Sequence, residues 1–547
     1  MSELQRQIQL AKYYRNLKFL VVDDFENFRL SVRQMIRAFG VEHIEVAGNG
    51  EDAVARCEHE SFDIVLCDYN LGTGKNGQQV LEELRHNKLL KQTGIFVLIT
   101  AETSKDMVMG ALEYLPDGYI TKPMTKAVLQ KRLDIMIEQR ETLKPINDAI
   151  DKGLVDKAIE LINEEIKTES KYTIWCYRKL AGLYYQKEQY ELARQIYENI
   201  LTKRDIGWAQ LGLGKVKLAQ GDYQGAIDGL TGLLEQNGNL IEAYDWLAEA
   251  QLKKGSTLDA QKTLKKAVEI SPFAIIRQKK LAEVCTKNKD VESASDAFRH
   301  TVKLGHNSVH ESPENYLNLG RCLSELSEGD KTDLGKKRAK EAVHTLERVG
   351  KKFKNDPSVQ VNSMLIQSRV HQGQGDESKA KTILEKIEST MDLDEADASM
   401  KLEFAKTLYT MGEVSKAEQL LSDLAQESDG DTALMASIED LLDEPVSLQK
   451  KVKARKLNKQ GIGAFEKGDL AKAIEVFENA LVSTPKHPAL NLNMVQVMLK
   501  QIAEQGGNPE LKRRCEHCLA NVKHIPEQHR QYKRYAHLVK KVGGLKA

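Results

Sequence analysis

The 547-residue sequence holds no run of the ~20 apolar residues that a membrane-crossing helix needs. Its opening stretch, MSELQRQIQLAKYYRNLKFLVVDD, has no continuous apolar segment ahead of a cleavage site, so no export signal is expected. The expected location is the cytoplasm, with the seven cysteines as reduced thiols. Net charge is missing too. The 80 Lys and Arg residues balance 80 Asp and Glu, which leaves no global field to hold nucleic acid or an anionic membrane. Proline is scarce at 11 and aromatics are 6%, while charged residues reach 29%, a composition suited to a mostly helical soluble chain. No P-loop is present, and the histidines offer no nucleophile–base constellation. The length calls for several domains, fewer if part of the chain repeats.

What is present begins with alternation. Leu4, Ile8 and Ala11 sit at helical spacing and predict an amphipathic leader helix over 1–16. FLVV (19–22), HIEVA (43–47), FDIVLC (62–67), GIFVLIT (94–100) and GYI (118–120) read as strands. Helical patterns separate them at Asn27–Phe39, from Glu51, at Gly77–Arg85 and at Ser104–Leu115, and a last one follows at Lys126–Leu143. This pattern predicts a doubly wound α/β domain, a five-stranded parallel sheet of flavodoxin-like type over 17–144.

Ligands of such sheets sit beyond the carboxyl ends of the strands. Asp23 and Asp24 end the first strand, Asp68 the third and Thr100 the fourth, while Lys122-Pro123 follows the fifth. Three carboxylates, a hydroxyl and an ammonium therefore converge on one rim. Such a cluster suits a hard cation, and Mg2+ prefers carboxylate oxygens. A carboxylate there can act as the nucleophile that accepts a phosphoryl group, with Lys122 pairing a phosphoryl oxygen. The alternative is an acidic cluster without chemistry.

VVDD, CDYNL, LITA and YITKP, with the spacing among Asp24, Asp68, Thr100 and Lys122, resemble the receiver domain of two-component response regulators. The resemblance implies that Asp68 is the phosphoacceptor. It implies Mg2+ held by Asp24, Asp68 and the backbone carbonyl of Asn70, with Asp23 acting through water. Thr100 and Lys122 would read the phosphate, and Tyr119 matches the aromatic switch position. Ala101 would leave the phosphoryl group open, and the peptide bond before Pro123 is expected to be cis. Asn70 and Glu102 fall where chemotaxis-type receivers tune dephosphorylation. The implied donor is a histidine kinase or a phosphotransfer protein, and the receiver offers a surface for homodimerisation. The loop NLGTGKNG (70–77) is longer and richer in glycine than the common version.

Beyond residue 145 the strand signals stop. Ala193, Ala226, Ala260 and Ala294 recur at nearly the ~34-residue period of tetratricopeptide helix pairs, and Ala380, Ala417 and Ala473 continue the series. Large–small pairs precede them, from Leu180-Ala181 and Leu213-Gly214 to Leu319-Gly320. A small side chain lets two helices approach, and its large neighbour fills the next groove. This resembles tetratricopeptide repeats and implies an all-α superhelical solenoid whose concave groove binds a protein or peptide. Two blocks are expected, 145–426 and 453–547, with a spacer at 427–452 that breaks the period.

Weaker signals remain. CEHC (515–518), with His524 and His529, has too few residues between its Cys and His pairs for a zinc finger and reads as packed thiols on one helix face. KKRAK (336–340) and KKFK (351–354) form a basic cluster, read either as a solvated face or as a contact for an acidic partner or nucleic acid. Together the features predict a signalling and binding protein, not an enzyme, whose repeats switch partners when Asp68 is phosphorylated. The rival readings are a transcriptional regulator with a hidden DNA-binding element, an enzyme with an unfamiliar site, and a phosphate sink.

Overall fold

The computed structural model describes residues 3–101, 115–390, 393, 396–427, 434–435, 437–438, 448–483, 487–506, 509–523 and 531–545. The helix expected at 104–115 and the position of Glu102 therefore lie outside the described residues, as does most of the 427–452 spacer.

Strands β1 (Lys18–Val22), β2 (His43–Ala47), β3 (Ile64–Asp68), β4 (Ile95–Thr100) and β5 (Gly118–Thr121) form one parallel sheet in the order β2-β1-β3-β4-β5. β3 and β4 are buried along their whole length, which explains their unbroken apolar runs. Helices α1 (Glu3–Asn16), α2 (Glu26–Arg37), α3 (Gly50–His59), α4 (Gly77–His86) and α5 (Lys126–Asp151) accompany the sheet. Successive strand residues point to opposite faces, so two cores form. Phe19, Val21, Leu66 and Val97 pack toward α2 and α5, while Leu20, Val22, Val65 and Phe96 pack toward α3 and α4.

Two local expectations are corrected. α1 is helical, but Leu4 and Ile8 are exposed, and the stripe that packs is Leu10, Tyr14 and Leu17. Tyr14 selects this face: its hydroxyl donates to Asp134 Oδ1 at 2.8 Å and its ring lies 5.6 Å from that of Phe39. The second correction concerns the last α/β helix, expected over Lys126–Leu143. Instead α5 continues through Pro145 to Asp151. An internal proline costs about 3 kcal/mol. Here Leu143, Ile146 and Ala149 are buried against Ala158 and Ile162, which holds the second half helical. One helix thus closes the α/β domain with Leu129, Leu133 and Ile137 and opens the first helical repeat.

The chain divides into two compact units, 1–326 and 327–547. In the first, helix follows helix from Val155 to Leu326 after the α/β domain. Ala193, Ala226, Ala260 and Ala294 are all fully buried. At Gly214 a Cβ would lie 2.7 Å from Leu230, so only glycine permits that approach. In the second unit Ala380, Ala417 and Ala473 are equally buried. These are the helix-pair contacts the sequence period predicts.

Asp290 illustrates how a repeat turn is held. It caps the helix Val291–Gly305 through the Ser293 N–H and accepts hydrogen bonds from Gln261 and Lys265. Burial pushes its pKa up, but these hydrogen bonds win and hold it at about 2. Asp290→Ala is expected to cost about 1 kcal/mol in denaturant unfolding. Because the folded pKa lies below the ordinary 3.8, this contribution is complete above that value and lost as pH falls toward about 2.

Candidate functional site

The carboxyl edge of the sheet gathers four chain segments. Asp23 follows β1, Asp68 ends β3, Thr100 ends β4, and Lys122 follows β5. Register sets them side by side: Asp68 pairs with Ile99, and Thr100 with Thr121. The Lys122 ammonium donates to Asp23 Oδ2 and to Asp68 Oδ2, each at 2.7 Å. It also lies 4.1 Å from the centre of the Phe28 ring, a cation–π contact. Asp23 is 1% exposed and Asp68 6%, whereas Asp24 faces solvent. Asp23 Oδ1 accepts the Phe25 N–H at 2.9 Å, which fixes its carboxylate.

The charges here are mutually dependent. Burial raises the Asp68 pKa above its ordinary value, Asp23 adds to that, and Lys122 works against it. Burial would lower Lys122, but its bonds to the two carboxylates outweigh this and raise it. Carboxylate oxygens of Asp23, Asp24 and Asp68 all lie within 4.8 Å of one another. Among the described residues this is the sole group of at least three acidic, His or Cys side chains placed to hold a metal ion. An all-oxygen, multiply charged donor set of this kind fits a hard divalent cation.

Beyond Asp68 the chain makes a wide loop. Gly72 and Gly74 adopt φ of +75° and +102°, conformations that favour glycine. Glu51, on α3, accepts the Lys75 N–H at 3.0 Å and anchors the loop. Asn76 and Gln79 then form a capping box that starts α4. Asp68 is thus joined to α4 by one braced loop.

α4 turns its face toward the helical repeats of the same unit. Gln79 Nε2 donates to the His306 carbonyl at 2.9 Å, and Glu82 Oε2 accepts the Ser308 hydroxyl at 2.8 Å. His310 Nε2 lies 3.0 Å from Glu82 Oε1, an ion pair when the imidazole is doubly protonated, and its ring meets that of His86 edge-on. Glu82 is 6% exposed, so this contact is desolvated. A second contact joins the opposite edge of the sheet to the repeats, where the Gln92 N–H donates to Asp151 and Lys179 donates to the Gln92 side chain.

Family comparison places this architecture. The model described as Response regulator receiver domain matches residues 19–134, and one described as Tetratricopeptide repeat matches 241–273. Chemotaxis protein CheY-3 of Vibrio cholerae is 33% identical over 125 residues, covering 23% of this chain and 95% of that protein. The chain belongs to the response regulator receiver family. Chemotaxis protein CheY of Pseudomonas aeruginosa is 28% identical over 123 residues, 22% of this chain and 98% of that protein. Among solved structures, the chemotaxis response regulator CheY4 of Vibrio cholerae is 25% identical, with a TM-score of 0.21 over 22% of this chain and 98% of that one. A receiver implies exchange with a kinase or phosphotransfer protein, and tetratricopeptide repeats imply protein binding.

Within the receiver, Thr100 is buried and Tyr119 is half-buried against the α3–α4 core. Ala101 and Asn70 are exposed, and the Lys122–Pro123 peptide bond is cis. No described helix is long and apolar enough to cross a membrane. All seven cysteines are free and buried. Cys515 and Cys518 sit among Leu511, Met494 and Leu519, and burial pushes their thiols up to about 12 and about 11. His524 and His529 lie outside the described residues. The sequence reading missed Gln79, Glu82, Ser308 and His310. The only available signal was a cluster of polar residues, Gln78, Gln79 and Glu82, on a helix otherwise patterned for burial.

Proposed function

We propose that this receiver takes a phosphoryl group on Asp68 from a histidine kinase or phosphotransfer protein and so switches protein binding by the tetratricopeptide array. The supporting observation is that Asp23, Asp24, Asp68 and Lys122 meet in one pocket, joined by a braced loop to the α4 contact. An Asp68 carboxylate oxygen attacks phosphorus in line, an acyl phosphate bond forms, and the donor's P–N bond breaks with its electron pair returning to the imidazole. Mg2+, held by Asp24, Asp68 and the Asn70 carbonyl with Asp23 through water, would supply charge neutralisation for the phosphoryl oxygens. Lys122 then exchanges its bond to Asp68 for one to the phosphoryl group, and Thr100 donates its hydroxyl to the same group. Tyr119 follows Thr100 inward. Pro123 shapes the Lys122 turn, and Ala101 keeps the entrance open. The domain limits we propose are 1–16, 17–144, 145–426, 427–452 and 453–547.

Asn70 and Glu102 support a short-lived phosphoryl state. A phosphate-release assay on the phosphorylated chain checks this, and survival for many hours would contradict it.

The α4 contact gives the switch an output. Rearrangement at Asp68 pulls on the loop 69–77 and loosens Glu82 from Ser308 and His310, which frees the repeats around 304–311 for a partner. Hydrogen exchange across 304–311 is expected to accelerate with beryllofluoride and Mg2+. Glu82→Ala removes the acceptor of the Ser308 hydroxyl and the carboxylate facing His310 from a buried contact worth about 1–3 kcal/mol. It is expected to accelerate the same exchange about tenfold without any phosphoryl mimic. Exchange and small-angle scattering that stay unchanged by the mimic would remove this output and leave the phosphate-sink reading.

A further inference from the structure

In the second unit, the helix Asp333–Lys352 is longer than its neighbours and carries a local excess of charge. Its sequence, DLGKKRAKEAVHTLERVGKK, holds seven Lys and Arg against three acids, in a chain that is neutral overall. Lys336, Lys337, Lys340 and Lys351 are exposed, and among the described residues their ammonium groups have no ion-pair partner.

These lysines border a depression. One hollow of about 710 Å³ lies between this helix and the end of the helix Pro357–Gly373, over Ala339, Val343 and Val370. A second, of about 430 Å³, adjoins it through His344 and Glu347 and continues to Lys352. Together they follow the helix for its 20 residues, or about 30 Å. The lining is mainly carbon, because the lysine stems lie along it while their charges reach water.

We propose that this groove docks an acidic amphipathic helix of a partner protein. Charge complementarity selects the sign: carboxylates on the flanks of the ligand meet the unpaired lysines. The apolar floor selects the form. The first hollow, with Val343, Ala339 and Val370, takes the apolar side chains of a second helix at i, i+3 and i+4, and the second, lined by His344, Glu347, Arg348, Lys351 and Lys352, takes its acidic end. A nucleic-acid backbone would make no use of the apolar atoms of Val343. This surface is independent of the phosphorelay reading and stands or falls separately.

The test uses the full chain and a small panel of fluorescent helical peptides of about 18 residues, with Leu on one face and Glu on its flanks in shifted registers. Anisotropy is expected to show micromolar binding by at least one register. Replacing its Leu residues by Ser is expected to weaken binding at least tenfold. The protein variant Lys336→Glu/Lys340→Glu/Lys351→Glu is expected to do the same with an unchanged circular dichroism spectrum, since all three side chains are exposed. Absence of binding by every register would overturn the proposal. So would equal binding of the Ser peptide, which would show charge attraction alone. A DNA duplex that binds more tightly and displaces the peptide would assign the face to nucleic acid instead.

Discussion

Asp68→Asn is expected to abolish phosphoryl incorporation from acetyl phosphate and Mg2+, a loss of at least roughly a thousandfold, as for removal of other catalytic nucleophiles. Mass spectrometry of the intact chain reads it directly. The amide has the same shape but no carboxylate to attack phosphorus. Stability provides the control. Burial raises the Asp68 pKa, so the folded state disfavours its ionised form. A raised pKa contributes stability below the unfolded value that is lost as pH rises through the folded one. At neutral pH and without a divalent cation, ionised Asp68 is therefore a net cost, partly offset by Lys122. Asp68→Asn removes that cost and should leave the receiver at least as stable as the wild type near pH 7. A variant that failed to incorporate phosphate because it had unfolded would show rapid exchange through β3. Retained incorporation in a folded variant would move the acceptor elsewhere and remove the central chemical claim.

Gly77→Ala is expected to be the most damaging single methyl group in the receiver. A Cβ at this position would lie 2.1 Å from the Asp68 carbonyl oxygen and 3.1 Å from Cys67 Sγ. The obstacle is backbone, which cannot swing aside like a side chain. Gly77 donates its N–H to the Tyr69 carbonyl at 2.8 Å, closing the loop that carries the acid pocket. Relief must come from shifting β3 or the start of α4, at a cost of about 3 kcal/mol or more. Hydrogen exchange through 64–86 should rise by about a hundredfold, and the 304–311 contact should loosen with it. By contrast, Gly40→Ala meets no atom within 4 Å, so its cost is limited to backbone strain at φ +99°. If the two variants behave alike, the steric account of Gly77 is wrong.

How much of this was legible in the sequence varied with the range of the interactions. The inner strands β1, β3 and β4 were readable because they are buried on both faces and so almost wholly apolar, whereas the edge strands β2 and β5 are only partly buried. The meeting of Asp23, Asp24, Asp68 and Lys122 was readable because parallel sheets present strand ends on one edge, so position in the strand suffices. The small residues of the repeats were readable because each contact recurs at a fixed spacing. The face of α1 was not readable. Leu4, Ile8 and Ala11 satisfy a helical period as well as Leu10, Tyr14 and Leu17 do, and only Asp134 and Phe39, far along the chain, choose between them. The end of α5 was not readable for a related reason: Pro145 stands just past the expected Leu143. Its local preference to break a helix was overridden by burial of Leu143 and Ile146 in the first repeat.

The sequence by itself determined which acidic residues gather at the strand ends, the parallel sheet and the helix-pair period, because each is written in local spacing that simple geometry converts into position. Tertiary structure alone decided that α5 runs unbroken from receiver to repeats, and that Glu82 meets Ser308 across 226 positions of chain. Contacts that distant leave no periodic trace. They depend on how whole elements stack, where burial of many side chains together outweighs the preference of any one of them.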